Sequence, residues 1–213
     1  MTLRERLSAA RLYLVCDARP RAFLDAALRG GVDVIQLRDK TLAGDAELVA
    51  AARAFRAAAD GAGALFVLND RPDLVEACGA DGVHVGQDDA TPAQARAAIG
   101  PDRIIGRSTH APDQLAEADA DPDVDYLAVG PVHATPTKPG RPAAGLAYVE
   151  HAARVGPSTP WFAIGGIDPS TAPAVLAAGA RRIVVVRAIA EAVDPEAAAR
   201  ELTRALESGV GAR

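Results

Sequence analysis

The chain has 213 residues, of which 49% are apolar and 24% charged, with a formal net charge of −5. That length can bury a substantial core, and the acidic balance excludes general affinity for nucleic acid or an anionic membrane surface. No apolar run approaches the ~18 residues of a membrane span. The opening Met1-Thr2-Leu3-Arg4-Glu5-Arg6-Leu7 has no apolar stretch behind it, so a cytoplasmic protein is expected. Cys16 and Cys78 lack metal-ligand spacing and are expected as small buried thiols.

The first strand is expected at Leu12–Val15 and the second at Val32–Leu37. In the second, alternation sends Ile35 and Leu37 to one face and Gln36, Arg38 and Lys40 to the other. Two cations and an amide on one face suit an anionic ligand, whereas a solvated strand face is the bland alternative. A helix over Ala46–Ala59 leads to a third strand, Ala64–Leu68, which stops on Asn69-Asp70. The fourth, Gly82–Val85, opens into Gln87-Asp88-Asp89 ahead of a proline-started helix, Pro92–Ile99. Each acidic end could be a turn or a helix cap. Mg²⁺, however, takes one or two carboxylates and completes its shell with water and substrate phosphate, which would suit Asp70 and Asp89. His84 within the fourth strand reads as a hydrogen-bonded core residue.

Strand five, Arg103–Gly106, runs into Arg107-Ser108-Thr109-His110, where Ser108 and His110 face alike and could bond a heterocycle or exchange protons. No third member of a hydrolase triad is evident. After a helix at Pro112–Ala118, strand six, Tyr126–Gly130, is followed by a loop with Thr135, Pro136, Thr137 and Lys138. Its hydroxyls and ammonium could close over phosphate. Strand seven, Trp161–Ile164, ends on Gly165-Gly166, and a helix follows at Pro169–Ala178. Arg181 and Arg182 precede strand eight, Ile183–Val186, as solvated charge, and a last helix spans Pro195–Leu206. Gly166, Val186 and Arg187 fall where loops seven and eight of a barrel hold phosphate through backbone N–H groups.

Strands alternating with alanine-rich helices, without a linker, predict a single (β/α)8 TIM barrel over residues 1–213; an open doubly wound sheet is the runner-up. Chemistry then belongs at the C-terminal ends of the strands. Two phosphate sites follow, one at Arg38, Lys40 and Lys138 with a metal, the other at Gly166 and Val186–Arg187.

Gln36-Leu37-Arg38-Asp39-Lys40, Asn69-Asp70, His84-Val85-Gly86-Gln87-Asp88-Asp89, Gly106-Arg107-Ser108-Thr109-His110, Thr135-Pro136-Thr137-Lys138 and Gly165-Gly166-Ile167, in that order, resemble the thiamine phosphate synthase family over nearly the whole chain. The resemblance implies condensation of 4-amino-2-methyl-5-(diphosphooxymethyl)pyrimidine with a thiazole phosphate, giving thiamine monophosphate and pyrophosphate, with CO₂ lost from a carboxylated thiazole. It implies that Gln36, Leu37, Arg38, Asp39, Lys40, Asn69 and Lys138 hold the pyrimidine diphosphate. Asp70 and Asp89 would hold Mg²⁺, and Ser108 would bond the aminopyrimidine. Thr135, Pro136 and Thr137 would meet the thiazole phosphate with Gly166, Val186 and Arg187. Arg38, Lys40, Ser108 and Lys138 are the implied catalytic groups, acting on a dissociative reaction without a protein nucleophile. Many relatives carry serine where this chain has Arg187. Two readings compete: a thiazole tautomerase sharing the Ser108-x-His110 element, and a non-catalytic thiamine- or phosphate-binding module. The expected partners are small molecules, with a homodimer left open.

Overall fold

The computed structural model describes residues 1–134 and 143–209. Its strands are β1 (Leu12–Cys16), β2 (Val34–Leu37), β3 (Leu65–Asn69), β4 (Gly82–Val85), β5 (Ile104–Thr109), β6 (Tyr126–Val129), β7 (Trp161–Ile164) and β8 (Ile183–Val185). Each lies parallel to the next, and β8 closes on β1 with Tyr13 opposite Val184, so the sheet is a closed barrel rather than the open alternative. Around it run α1 (Leu3–Ala9), α2 (Arg21–Arg29), α3 (Asp45–Ala62), α4 (Val75–Cys78), α5 (Pro92–Ile99), α6 (Pro112–Ala120), α7 (Leu146–Val155), α8 (Ala172–Ala177), α9 (Arg187–Ala190) and α10 (Pro195–Ser208).

Strand alternation sorts the barrel into two apolar layers. Ile35, Leu37, Phe66, Leu68, Val83 and Val85 face outward and pack under the helices. Tyr13, Val15, Val34, Leu65, Val67, Ile104, Tyr126, Phe162 and Val184 fill the inside, and Leu7 of α1 joins them. The packing density inside depends on glycine. A Cβ at Gly106 would lie 2.0 Å from Cζ of Tyr126, so the missing side chain on β5 is the space that ring occupies. Cys16 and Cys78 are free and buried, as expected, and burial pushes the Cys16 thiol up to about 12.

Several elements differ from the sequence reading for local reasons. α8 begins at Ala172, not Pro169, because the Asp168 carboxylate accepts from the N–H groups of Ser170 and Thr171 and holds an Asx-type turn before the helix. β5 continues past Gly106 to Thr109 because Arg107, Ser108 and Thr109 remain in register with Leu127, Ala128 and Val129 of β6. α2 buries Leu24, Ala27 and Leu28 on one face, a stripe hidden in sequence by the interleaved Arg21, Asp25 and Arg29. Arg181 and Arg182 are partly buried and not simply solvated: Arg181 donates to the carbonyls of Leu176 and Ala180, Arg182 to that of Ser8.

The N-terminal rim is stitched by an aspartate just before each of β2, β4 and β6. Asp33 Oδ2 accepts from the N–H groups of Arg11 and Leu12, Asp81 Oδ2 from Phe66, and Asp125 Oδ2 from Ile105, at 2.7–2.9 Å. Asp125 is the most heavily engaged, taking Arg96 at 2.8 Å as well, with 8% of its side chain exposed against 15% for Arg96. Removing one partner leaves the other charge buried, so Asp125→Ala should lose about 3 kcal/mol of stability. Urea unfolding should show a lower midpoint at unchanged slope. Because the site lies at the other rim, the folded variant should keep its kinetics.

Candidate active site

At the C-terminal mouth a cavity of about 320 Å³ opens between the inward-facing strand ends. That volume suits a small organic ligand. Its floor is a run of buried polar side chains from five strands. Gln36 of β2 donates from Nε2 to the Tyr13 hydroxyl of β1 at 2.6 Å. The Tyr13 and Tyr126 hydroxyls lie 2.9 Å apart. The Tyr126 hydroxyl lies 3.0 Å from Nδ1 of His84, and Nε2 of His84 lies 2.9 Å from Oγ of Ser108. Gln36 is 3% exposed, His84 8% and Ser108 7%, so none of these groups can rely on bulk water for its hydrogen bonds. Burial pushes both phenols well up, and each keeps its proton over the working pH range.

Above this floor the cavity is cationic. Arg38 lines it from just past β2, where its N–H still pairs with the Cys16 carbonyl at 2.8 Å. Arg187, the first residue of α9, lines it from the β8 side. Among the described residues neither guanidinium has a carboxylate partner. Two uncompensated cations on separate walls give the mouth places for two anions.

Asp70 and Asp89 meet at the ends of β3 and β4. Asp70 adopts φ 59°, a left-handed conformation uncommon for a residue with a side chain, and its N–H bonds the His84 carbonyl at 2.9 Å. Lys40 Nζ lies 2.9 Å from its Oδ2. Burial works to raise the Asp70 carboxyl, but Lys40, Asp89 and Asn69 together hold it below the usual carboxylate value. Asp89 Oδ2 also accepts from the Gly86 N–H at 2.9 Å. Two neighbouring carboxyl groups, one of them shifted towards its ionised form, are a donor set that fits one divalent cation whose other ligands come from water and substrate. Among the described residues no group of three or more such ligands forms a closed metal cage.

The loops after β6 and β7 are fitted to each other. His133 N–H bonds the Gly165 carbonyl at 3.0 Å, and a Cβ on Gly165 would lie 2.6 Å from Cα of Pro131. Gly165 and Gly166 have φ 110° and 62°, so both the backbone conformation and the space call for glycine. His110 Nδ1 lies 2.6 Å from the Gly130 carbonyl, an acceptor only, which fixes the proton of the neutral ring on Nδ1. The Asp168 carboxylate at the rim is consumed by its own turn: Ser170 and Thr171 hold it below the usual range against a burial penalty.

The residues singled out in sequence do not all converge. Gln36, Arg38, Asn69, Ser108, Gly166, Val186 and Arg187 line the cavity. Leu37 is 1% exposed and packs outward among the helices, leaving only its backbone on the site side. Asp39 shapes the β2 loop: burial would raise its carboxyl, but hydrogen bonds from Thr41, Ala18 and Leu42 lower it. Lys40 is exposed at the edge. Thr135, Pro136, Thr137 and Lys138 lie outside the described residues. Sequence reasoning passed over Tyr13 and Tyr126, although each is a polar-tipped residue at an inward position of a strand. It also passed over Arg107, whose Nη1 donates to the Gly86 carbonyl at 2.6 Å and ties the carboxylate loop to β5.

A family profile described as thiamine monophosphate synthase matches residues 12–189. The thiamine-phosphate synthase of Thermobifida fusca is 56% identical over 216 residues, covering 99% of both chains. That of Mycobacterium bovis is 53% identical over 215 residues, covering 94% of this chain and 96% of its own. Among solved structures, a thiamine phosphate pyrophosphorylase from Pyrococcus furiosus superposes with a TM-score of 0.86 at 32% identity, covering 99% of this chain and 100% of that one.

Proposed function

Because the chain belongs to the thiamine monophosphate synthase family and is a transferase that makes thiamine phosphate, we propose that its barrel mouth joins 4-amino-2-methyl-5-(diphosphooxymethyl)pyrimidine to a thiazole phosphate with release of pyrophosphate. The observation that carries this reading is the pair of arginines, Arg38 and Arg187, that line one cavity without a carboxylate partner among the described residues. Two anionic reactants need two such cations.

The pyrimidine diphosphate lies with its ring over the Ser108–His84 floor and its diphosphate towards Arg38, Asn69, Lys40 and Lys138. The thiazole phosphate lies at Gly166 and the Val186–Arg187 backbone, and Thr135, Pro136 and Thr137 are its further proposed contacts. A carboxylated thiazole loses CO₂ in the same cycle. Pyrophosphate leaves first, and the thiazole nitrogen captures the pyrimidine methylene cation. Arg38, Lys40 and Lys138 stabilise the charge gathering on the leaving oxygen, a role that grows from ground state to transition state. Asp70 and Asp89 would hold Mg²⁺, which would supply further positive charge beside the diphosphate. Excluding water protects the cation. No helix among the described residues is long and apolar enough to cross a membrane.

The test is formation of thiamine monophosphate and pyrophosphate by folded protein from the two phosphorylated precursors with Mg²⁺. A folded protein that yields no product would reject the reading. Side by side, Lys138→Ala should lose much more activity than His110→Ala; the reverse order, with carboxythiazole isomerised in the absence of pyrimidine, would indicate a tautomerase.

A further inference from the structure

The buried polar run beneath the cavity has a direction, and donor counting sets it. Gln36 Nε2 donates to the Tyr13 oxygen at 2.6 Å. The Tyr13 O–H then finds its acceptor in the Tyr126 oxygen at 2.9 Å, and the Tyr126 O–H finds its own in Nδ1 of His84 at 3.0 Å. An imidazole accepting at Nδ1 carries its proton on Nε2, which faces Oγ of Ser108 at 2.9 Å. With Oγ accepting from His84, the Ser108 O–H has no acceptor among the described residues and is left to point into the cavity. Run the other way, with Ser108 donating to His84, the chain would need the Tyr13 O–H, 1% exposed, to find its acceptor at Gln36, whose Nε2 and not Oε1 faces it. A buried donor facing a donor leaves a hydrogen bond unmade, which disfavours that direction.

We propose that His84 is a positioning residue, locked as the Nε2–H tautomer by the Gln36–Tyr13–Tyr126 chain, and that it thereby presents Ser108 to the substrate as a hydrogen-bond donor. The inference rests on the reading that the pyrimidine lies over Ser108. Its chemical consequence is selectivity for a heterocycle with an unprotonated ring nitrogen at that place, since a donor there rejects a ring N–H. The contact also belongs to binding and not to barrier lowering. Electron density leaves the ring nitrogen as the methylene cation forms, so a bond donated to it weakens on the way to the transition state.

The chain is rigid enough to hold one direction. Tyr13, Tyr126 and Phe162 pack with ring centroids 5.7–5.9 Å apart, and Gly106 provides the space for Tyr126. Tyr126→Phe removes the hydroxyl while keeping this packing, so it probes the chain with the fold retained.

Two measurements test the proposal. Ring-¹⁵N spectra of the substrate-free protein, with His84 assigned by the signal lost in His84→Gln, should show a neutral ring protonated at Nε2, and Tyr126→Phe should abolish that preference. In steady-state kinetics, Tyr126→Phe should raise KM for the pyrimidine diphosphate about tenfold, with KM for the thiazole phosphate and kcat within about twofold. His84→Gln, whose amide N–H falls near the Nε2 position, should retain most of the pyrimidine affinity that His84→Leu loses. A wild-type His84 protonated at Nδ1 would overturn the proposal, as would KM values for both substrates rising together in Tyr126→Phe. Wild-type protein that turns over no pyrimidine diphosphate would instead remove the substrate reading, while the tautomer measured without substrate still decides the direction of the chain.

Discussion

Replacing Arg38 with methionine is expected to lower kcat by about a hundred- to a thousandfold, the loss typical of removing one preorganised group that meets developing negative charge. KM for the pyrimidine diphosphate should rise by less than about tenfold. The asymmetry follows from where Arg38 stands. It lines the cavity with no carboxylate partner among the described residues, so none of them offsets its charge before substrate arrives. Its backbone is tied to β1 through the Cys16 carbonyl, and that bond survives substitution. Methionine keeps much of the apolar stem, so the fold should tolerate the change. A diphosphate already carries its charge in the ground state, but the bridging oxygen gains more as its bond to carbon breaks, and a cation there gains with it. Arg38→Lys should recover only part of the loss, because an ammonium cannot donate two parallel hydrogen bonds. Steady-state and single-turnover rates at saturating thiazole phosphate would measure this. Equal losses in substrate affinity and in transition-state affinity would mean that Arg38 only holds the diphosphate.

Much of this site could be read in the sequence because strand alternation is a rigid rule. Gln36 and Arg38 were assigned to one face by counting in twos, and both line the cavity. The positions of Asp70 and Asp89 after successive strands pair them, and Asp89 bears on the Asp70 carboxyl. Lys40 belongs to the same count but lies beyond the last residue of β2, Leu37, where the period no longer holds, and it turns to the edge against Asp70. Leu37 and Asp39 show how motif resemblance blurs direction: consecutive residues in one signature point to opposite layers. The polar floor was illegible for a different reason. His84 is a hydrogen-bonded core residue, as its place in β4 suggests, but its partners Tyr126 and Ser108 are 42 and 24 residues away. Only barrel closure brings them together. The Pro169 boundary failed because proline predicts a first helical turn, whereas Asp168 captured the same N–H groups for a turn of its own.

Asp70→Asn should separate charge from conformation at the carboxylate pair. At φ 59° asparagine is among the few residues that replace aspartate with little backbone strain. The amide also preserves the side chain's size, so folding should change by no more than about 1 kcal/mol, the range expected for losing a half-exposed partner such as Lys40. Activity should nonetheless fall by about a thousandfold, because a site of two carboxylates that loses one charge no longer competes with water for a divalent ion. Asp70→Ala should lose similar activity but about 1 kcal/mol more stability, since alanine pays for the left-handed backbone without a side chain that can bond locally. Stripping divalent metal from the wild-type protein with a chelator should reproduce the loss in Asp70→Asn, and chelator should take little more from the variant. Mn²⁺ titration followed by electron paramagnetic resonance, with pyrophosphate present, should show the corresponding drop in affinity. If Asp70→Asn binds Mn²⁺ as the wild type does yet remains inactive, the role of Asp70 lies in holding Lys40, and the metal belongs elsewhere.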